Sequence, residues 1–366
     1  MDNKKVIFVT GTLTGGGAEK VMSILASGCA ELGHDVTLVV LRNRKNVYPV
    51  SDKVHIVQFL DCGKLATIAR ICRLHKLLKA SDADAVIPFL PIISLYTLIA
   101  NIGVGKKLIM SERADPRAKL SQKPLKDKIG SFLMRRMELY RLADWMVFQT
   151  PDAQSYYSQR IQAKSSLIPN PLDTQRLPAR FEGEREKRIV AAGRFTAVKN
   201  FPMLIDGFAE FHRDFPEYTL TIYGKGVLRE EYEKQIAEAG LQDVVRLPGF
   251  SENLAEEIKR AAMYVSTSNH EGISNSMLEA LGMGVPTIVT DCPVGGARMF
   301  VHTDENGILI PMEDRGALVA AMKKIASDPA YGEQLSRNAV SIRKDLCAER
   351  ICRQWIALVS HVEDKI

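Results

Sequence analysis

What this chain of 366 residues lacks narrows its function before anything it contains. No apolar run reaches the roughly 20 residues of a membrane-spanning helix. The opening Met-Asp-Asn-Lys-Lys leads straight into a strand pattern, so no targeting peptide is expected. The six cysteines (Cys29, Cys62, Cys72, Cys292, Cys347, Cys352) form no CxxC pair and no zinc spacing. Most sit in apolar patterns, and reduced, buried thiols in a cytoplasmic protein are the favoured reading. Neither low-complexity tracts nor internal repeats occur, which excludes solenoids and disordered scaffolds. Aromatics are scarce in the basic stretches, so no stacking platform for a nucleic acid is visible. A dinucleotide fingerprint is missing too. The first glycine-rich loop is not G-x-G-x-x-G, and the second strand ends Leu41-Arg-Asn without an acidic residue for a ribose.

What is present is a repeated alternation of strand and helix patterns, the mark of an α/β fold with parallel sheets. Val6–Thr10, Val36–Leu41, Val54–Leu60, Ala85–Leu90, Lys107–Ser111 and Trp145–Gln149 form a first set of expected strands. Helices are expected between them over 18–32, 65–79, 92–102 and 125–141. The prolines at 169, 171 and 178 and the charged run 182–188 read as an interdomain linker. A second alternation follows, with strands at 189–192, 220–223, 244–247, 264–267, 286–290 and 307–310. Helices over 315–327, 331–343 and 349–362 close the chain. Two doubly wound Rossmann-like domains facing across a cleft are expected, over 1–167 and 168–348, a length that suits two ordinary cores.

The net charge of +6 is concentrated. Residues 101–146 hold eleven Lys/Arg against five Asp/Glu, so the rest of the chain balances. Residues 64–79 carry Arg70, Arg73, Lys76 and Lys79 beside Ile68, Ile71, Leu74 and Leu78, without one acid. Lys119, Lys123, Lys126, Lys128, Arg135, Arg136 and Arg141 continue the pattern. Such helices suit an anionic membrane surface or a diphosphate-linked lipid, although a solvated charged face fits them as well.

The most informative stretch is Glu271-Gly-Ile-Ser-Asn-Ser-Met-Leu-Glu279. A carboxylate just before a helix start and another inside the helix can grip the two ends of a sugar nucleotide. Backbone N–H groups between them suit phosphates. Ser276-Met-Leu-Glu279 also fits a capping box, in which Glu279 only reaches back to its own helix start. Upstream, Gly193-Arg194-Phe-Thr-Ala-Val-Lys199-Asn200 sets two cations between a strand and a helix. Arg194 can bind a diphosphate bidentately, with Lys199 as a mobile point charge. Gly15-Gly16-Gly17, Gly224-Lys-Gly226 and Gly249 are glycine turns after strands, where backbone can approach a ligand. Asp82-Ala-Asp84 lies at the amino end of its strand, the wrong end for a metal-dependent centre, so no metal and no cofactor beyond a donor substrate is expected.

Together Gly193-Arg194…Lys199-Asn200, Gly224-Lys-Gly226, Glu271–Glu279, Thr290-Asp-Cys-Pro-Val-Gly-Gly-Ala-Arg298 and the opening Gly-Gly-Gly-Ala-Glu19 resemble glycosyltransferase family 4. The resemblance covers essentially the whole chain and implies a retaining enzyme of GT-B fold. Bacterial transferases extending lipid-linked or capsular oligosaccharides, N-acetylgalactosamine transferases among them, look similar. It implies a hexose or N-acetylhexosamine moved from a UDP-sugar to a saccharide acceptor, lipid-linked, at the inner face of the plasma membrane. By resemblance Arg194 and Lys199 hold the diphosphate, Glu279 the ribose and Glu271 the donor sugar. Gly272, Ile273, Ser274 and Asn275 offer amides, Gly249 borders the base, and Gly16 and Gly17 lie near phosphates or acceptor. The last helix, from 349 with Trp355, crosses back to the N-terminal domain.

One departure stands out. Many relatives carry a histidine after the strand at Leu108–Ser111, whereas this chain has Ser111-Glu112-Arg113. Arg113 cannot act as a base at neutral pH. It could stabilise donor phosphate or an anionic acceptor, or Glu112 could take the acceptor-side role. Two other readings remain at this stage: a non-catalytic nucleotide-sugar-binding partner subunit on the same fold, and a sugar-nucleotide epimerase.

Overall fold

The computed structural model describes residues 3–42, 48–59, 66–117 and 125–363. The chain divides into two compact units, Met1–Pro171 together with Leu346–Ile366, and Leu172–Asp345. Each is organised around its own parallel sheet.

In the first unit, β1 (Lys5–Thr10), β2 (Asp35–Val40), β3 (His55–Gln58), β4 (Ala85–Pro88), β5 (Lys107–Ser111), β6 (Trp145–Phe148) and β7 (Ser165–Leu167) lie in the order β3-β2-β1-β4-β5-β6-β7. The central strands are apolar on both faces, as helices covering both sides of a parallel sheet require; β4 and β6 are buried at every position. The edge strand β7 falls where the linker is expected to begin. Three residues are too few to show an alternation.

The expected helix over 125–141 is broken into three pieces. A helix over Leu125–Ser131 runs into a π turn over Phe132–Arg136, and a 3-10 turn follows over Leu139–Leu142. The Met137 N–H donates to the Phe132 carbonyl at 3.0 Å, five residues back. Glu138 then adopts a left-handed conformation, φ 52°, which stops the run. This wide turn accompanies Arg135 pointing inward and Arg136 outward. An inserted π turn of this kind recurs at functional sites.

The closing helix, Ala348–Glu363, packs on the helix Gly17–Glu31. A Cβ on Gly28 would stand 2.6 Å from Cys352 Sγ, so this crossing needs glycine. Trp355 is fully buried, its ring 5.7 Å from that of Phe89.

In the second unit, β8 (Glu186–Ala192), β9 (Thr219–Tyr223), β10 (Val245–Gly249), β11 (Ala261–Ser266), β12 (Thr287–Thr290) and β13 (Ile308–Ile310) lie in the order β10-β9-β8-β11-β12-β13. Phe195, Phe201, Phe208, Phe211 and Tyr232 belong to its core. The expected helix over 331–343 is two, Pro329–Ala339 and Ile342–Leu346. In both sheets the strand order reverses beside the first strand, between β1 and β4 and between β8 and β11. Open α/β sheets bind ligands outside the carboxyl ends of the strands at that reversal.

No helix among the described residues is long and apolar enough to cross a membrane. Cys29, Cys292 and Cys352 are buried thiols, whereas Cys72 is exposed, contrary to the favoured reading. Its position on the helix Ala66–Ala80 faces away from the buried Leu74 and Leu78. Cys62 lies outside the described residues.

Candidate active site

The loop after β8 carries Arg194 and Lys199. Gly193 lies beneath it. A Cβ there would stand 2.8 Å from Lys199 Cε, so the lysine stem lies across the bare glycine. Arg194 is exposed, and Phe195 beside it is buried in the core, anchoring the loop. Loops from the neighbouring strands lock onto this one. The Gly193 N–H donates to the Tyr223 carbonyl at 2.9 Å and the Gly224 N–H to the Gly249 carbonyl at 2.8 Å. A Cβ on Gly224 would collide with the Gly193 carbonyl oxygen. Gly249 itself is left-handed, φ 97°, at the end of β10.

Across the order reversal, β11 leads to Ser266, Thr267, Ser268 and then Glu271. The Lys199 ammonium donates to Oε2 of Glu271, and Ser268 Oγ donates to the same oxygen at 3.3 Å. The two loops are further tied by Thr267 Oγ1, which donates to the carbonyls of Lys199 and Asn200 at 3.0 Å each. The backbone of Glu271 is held on its other side, exchanging bonds of 2.9 and 3.0 Å with Pro293 and Val294. Both charged side chains are partly accessible, 15% for Lys199 and 27% for Glu271, so the pair is fixed yet reachable.

Gly272, Ile273 and Ser274 are buried and Asn275 is half-buried at the start of the helix Asn275–Gly282. Ser274 caps this helix, its hydroxyl accepting from the Met277 N–H at 3.4 Å. That result removes the capping-box reading of Ser276 and Glu279. Ser276 Oγ instead bonds Tyr264 Oη at 2.7 Å, and Glu279 lies within the helix, 6% exposed. The glycine-rich turn of Thr290–Arg298 explains itself here. A Cβ on Gly296 would collide with the Gly272 carbonyl, so only glycine lets this turn pass.

A small pocket opens among Ser266, Ser268, Glu271, Ser274, Thr290 and Cys292. Cys292 is buried there, and burial, with the Glu271 charge adding to it, pushes its thiol up to about 12. Ser266 and Ser268 carry no motif of their own, their signal being position alone at the end of β11, whereas Cys292 lies within the Thr290–Arg298 motif after β12.

Gly16, Gly17 and Arg113 belong to the first unit. Gly16 precedes the helix Gly17–Glu31 at the carboxyl end of β1, and the Glu19 carboxylate folds back over it, where a Cβ would collide. Glu112 cannot take the acceptor-side role considered for it. It is 1% exposed, and its carboxylate accepts two bonds of 2.7 Å from Arg135 and one of 3.0 Å from Tyr157 Oη. Arg135 is thereby removed from the basic surface to which it was assigned. The segment's balance is unchanged, because the buried set Arg113, Arg135, Glu112 and Asp115 sums to zero. Lys119 and Lys123 lie outside the described residues. Arg73, Lys76 and Lys79 remain exposed on the helix Ala66–Ala80, with Ile68 60% exposed beside them. Asp82 is engaged with Lys5, and Asp84 accepts from the Lys5 N–H at 2.7 Å, both at the amino ends of the strands.

Two family profiles match the chain, "Glycosyl transferases group 1" over residues 175–341 and "Glycosyltransferase Family 4" over residues 15–176. The chain is a family 4-like glycosyltransferase of the GT-B fold. The transferase is 26% identical, over 98% of its length and 99% of the relative's, to the Campylobacter jejuni GalNAc-alpha-(1->4)-GalNAc-alpha-(1->3)-diNAcBac-PP-undecaprenol alpha-1,4-N-acetyl-D-galactosaminyltransferase. It is 23% identical to the amylovoran biosynthesis glycosyltransferase AmsD of Erwinia amylovora, with 96% and 98% covered. Among solved structures, Anabaena HepE in complex with UDP and glucose superposes with a TM-score of 0.81 at 15% identity, over 98% and 100% of the two chains. Sucrose-phosphate synthase of Thermosynechococcus elongatus gives 0.84 at 18% identity over both full lengths. At such identities the structural likeness speaks for the fold of the transferase.

Proposed function

We propose that the protein is a retaining glycosyltransferase that moves a hexose or N-acetylhexosamine from a UDP-sugar to a lipid-linked saccharide, in assembly of a bacterial surface glycan. The observation that carries this reading is the Lys199–Glu271 pair, standing at the order reversal of the second sheet beside a glycine-lined helix start. One cation, one carboxylate and free-standing Arg194 at a strand-end crevice form the charge set that a sugar diphosphate needs.

In this reading Arg194 and Lys199 take the diphosphate, the amides of Gly272 to Asn275 assist, Glu279 takes the ribose hydroxyls, and Glu271 the donor sugar. Gly249 borders the base. The anomeric carbon–oxygen bond breaks with its electron pair going to UDP, whose growing charge Arg194 and Lys199 neutralise. The acceptor oxygen bonds the anomeric carbon on the same face, and the departing phosphate takes the hydroxyl proton. No protein base is then required, which suits an arginine at position 113.

A relative supports the lipid-linked acceptor, since the name of the Campylobacter enzyme includes undecaprenol. The exposed row Arg73, Lys76 and Lys79 with Ile68 supports peripheral association with an anionic cytoplasmic membrane face. The test is UDP release from a panel of UDP-sugars with crude lipid-linked oligosaccharide. Release that depends on both donor and acceptor is expected. Donor conversion without acceptor would make the enzyme an epimerase, and no turnover with any UDP-sugar would sink the reading.

A further inference from the structure

Glu112 and Arg113 follow β5 side by side and are both buried, yet their charges are met very differently. Glu112 is saturated by Arg135, Tyr157 and the N–H groups of Arg113 and Ala114. Among the described residues no carboxylate is bonded to Arg113. Its guanidinium donates to Asn170 Oδ1, lies 3.4 Å from Ser111 Oγ, and stands 4.7 Å over the Phe89 ring. Asp115, also buried, accepts from the Arg117 N–H at 2.8 Å. Among the described residues Arg113 Nε has no hydrogen-bond partner. Neither has Oε1 of Gln149, whose Nε2 donates to the same Asn170 oxygen at 2.5 Å.

Phe89, Ser111, Gln149 and Asn170 stand at or just beyond the carboxyl ends of β4, β5, β6 and β7, neighbours in the first sheet. Ligands of open α/β sheets arrive at that end. A buried guanidinium without a counter-ion destabilises the protein that carries it, and a planar fork of donors matches an oxyanion. Burial pulls Arg113 down to about 9, with Glu112 acting in the opposite sense; the side chain is still charged at neutral pH.

We propose that Arg113, oriented by Ser111, Asn170 and the Phe89 ring, recognises an oxyanion, a carboxylate or a phosphate, carried by the saccharide substrate. This rests on the reading of the protein as a saccharide transferase.

The experiment follows thermal unfolding and calorimetric binding of the full chain, wild type against Arg113→Met and Arg113→Lys, with UDP at saturation to fill the donor phosphate site. The probes are glucuronate, inorganic pyrophosphate and galactose. Arg113→Met is expected to unfold at the wild-type temperature or above it, because the substitution removes an uncompensated charge. At least one anionic probe should stabilise wild type, with Kd weakened about tenfold or more in both variants. A response to glucuronate assigns a sugar carboxylate, and one to pyrophosphate assigns a linking phosphate. A lowered midpoint for Arg113→Met, or anionic probes that bind no better than galactose, or equally well in wild type and variants, overturns the proposal. Loss of UDP binding by wild type would strike the donor-site reading instead.

Discussion

Lys199 and Glu271 stand 72 positions apart, and their side chains are bonded to each other. The contact exists because β8 and β11 are neighbours in the sheet, pairing Met263 with Ile189 and Tyr264 with Val190. Their following loops therefore emerge side by side. In the proposed reading, a cation and a carboxylate that hold each other in place would meet the donor already oriented, so little reorganisation would accompany the reaction.

Lys199→Ala and Glu271→Ala should each lower transfer by about a hundredfold or more, the scale of one lost transition-state contact. Glu279→Ala should act chiefly through the donor KM. Because Lys199 and Glu271 touch, the double variant should lose less than the product of the single losses. UDP-release kinetics check all four variants. Wild-type turnover and KM in every single variant would remove these residues from the site.

Removing Arg135 should cost far more stability than removing its neighbour. Arg135→Ala leaves the Glu112 carboxylate buried without its bidentate partner, a loss of about 3–5 kcal/mol. Arg136 is exposed, and Arg136→Ala should change stability by less than about 0.5 kcal/mol. Denaturant melts of the two variants would show the difference; equal midpoints would contradict the buried pair.

Thiol reactivity should separate Cys292 from Cys72 by pH. Burial disfavours the thiolate of Cys292 and raises it to about 12, so below that pH its reactive form stays scarce. Iodoacetamide at pH 8 should therefore label exposed Cys72 and spare Cys292 until the protein is unfolded. Mass spectrometry of the peptides reads the outcome. Rapid native labelling of Cys292 would show that the pocket floor opens.

Binding to anionic vesicles should be peripheral and salt-sensitive, since each basic residue near such a surface contributes about 1 kcal/mol and salt screens it. Arg73, Lys76, Lys79 and Lys126 are exposed, and reversing all four to glutamate should abolish flotation while UDP-sugar binding persists. Flotation unaffected by high salt, or absent at low salt, would point to a soluble acceptor.

Apart from the short edge strand β7, both sheets were legible in the order of apolar runs, because a strand buried on both faces has to be continuously apolar wherever it lies. Glu271, Arg194 and Lys199 were legible as well, each just after such a run, where an α/β sheet presents its loops. Local pattern misled wherever two answers share one spelling. Ser276 and Glu279 spell a capping box, yet Ser274 caps the helix and Ser276 bonds Tyr264. Arg135 and Arg136 are the same residue type in the same basic run. A π turn sends Arg135 inward to Glu112, and Arg136 stays outside. No periodicity encodes that choice; the need of a buried carboxylate for a partner decides it. Chain pattern settled which residues stand at strand ends, because burial acts residue by residue. Which charges meet was left to the packing of distant strands, as for Lys199 with Glu271, because proximity in space follows sheet order and not sequence order.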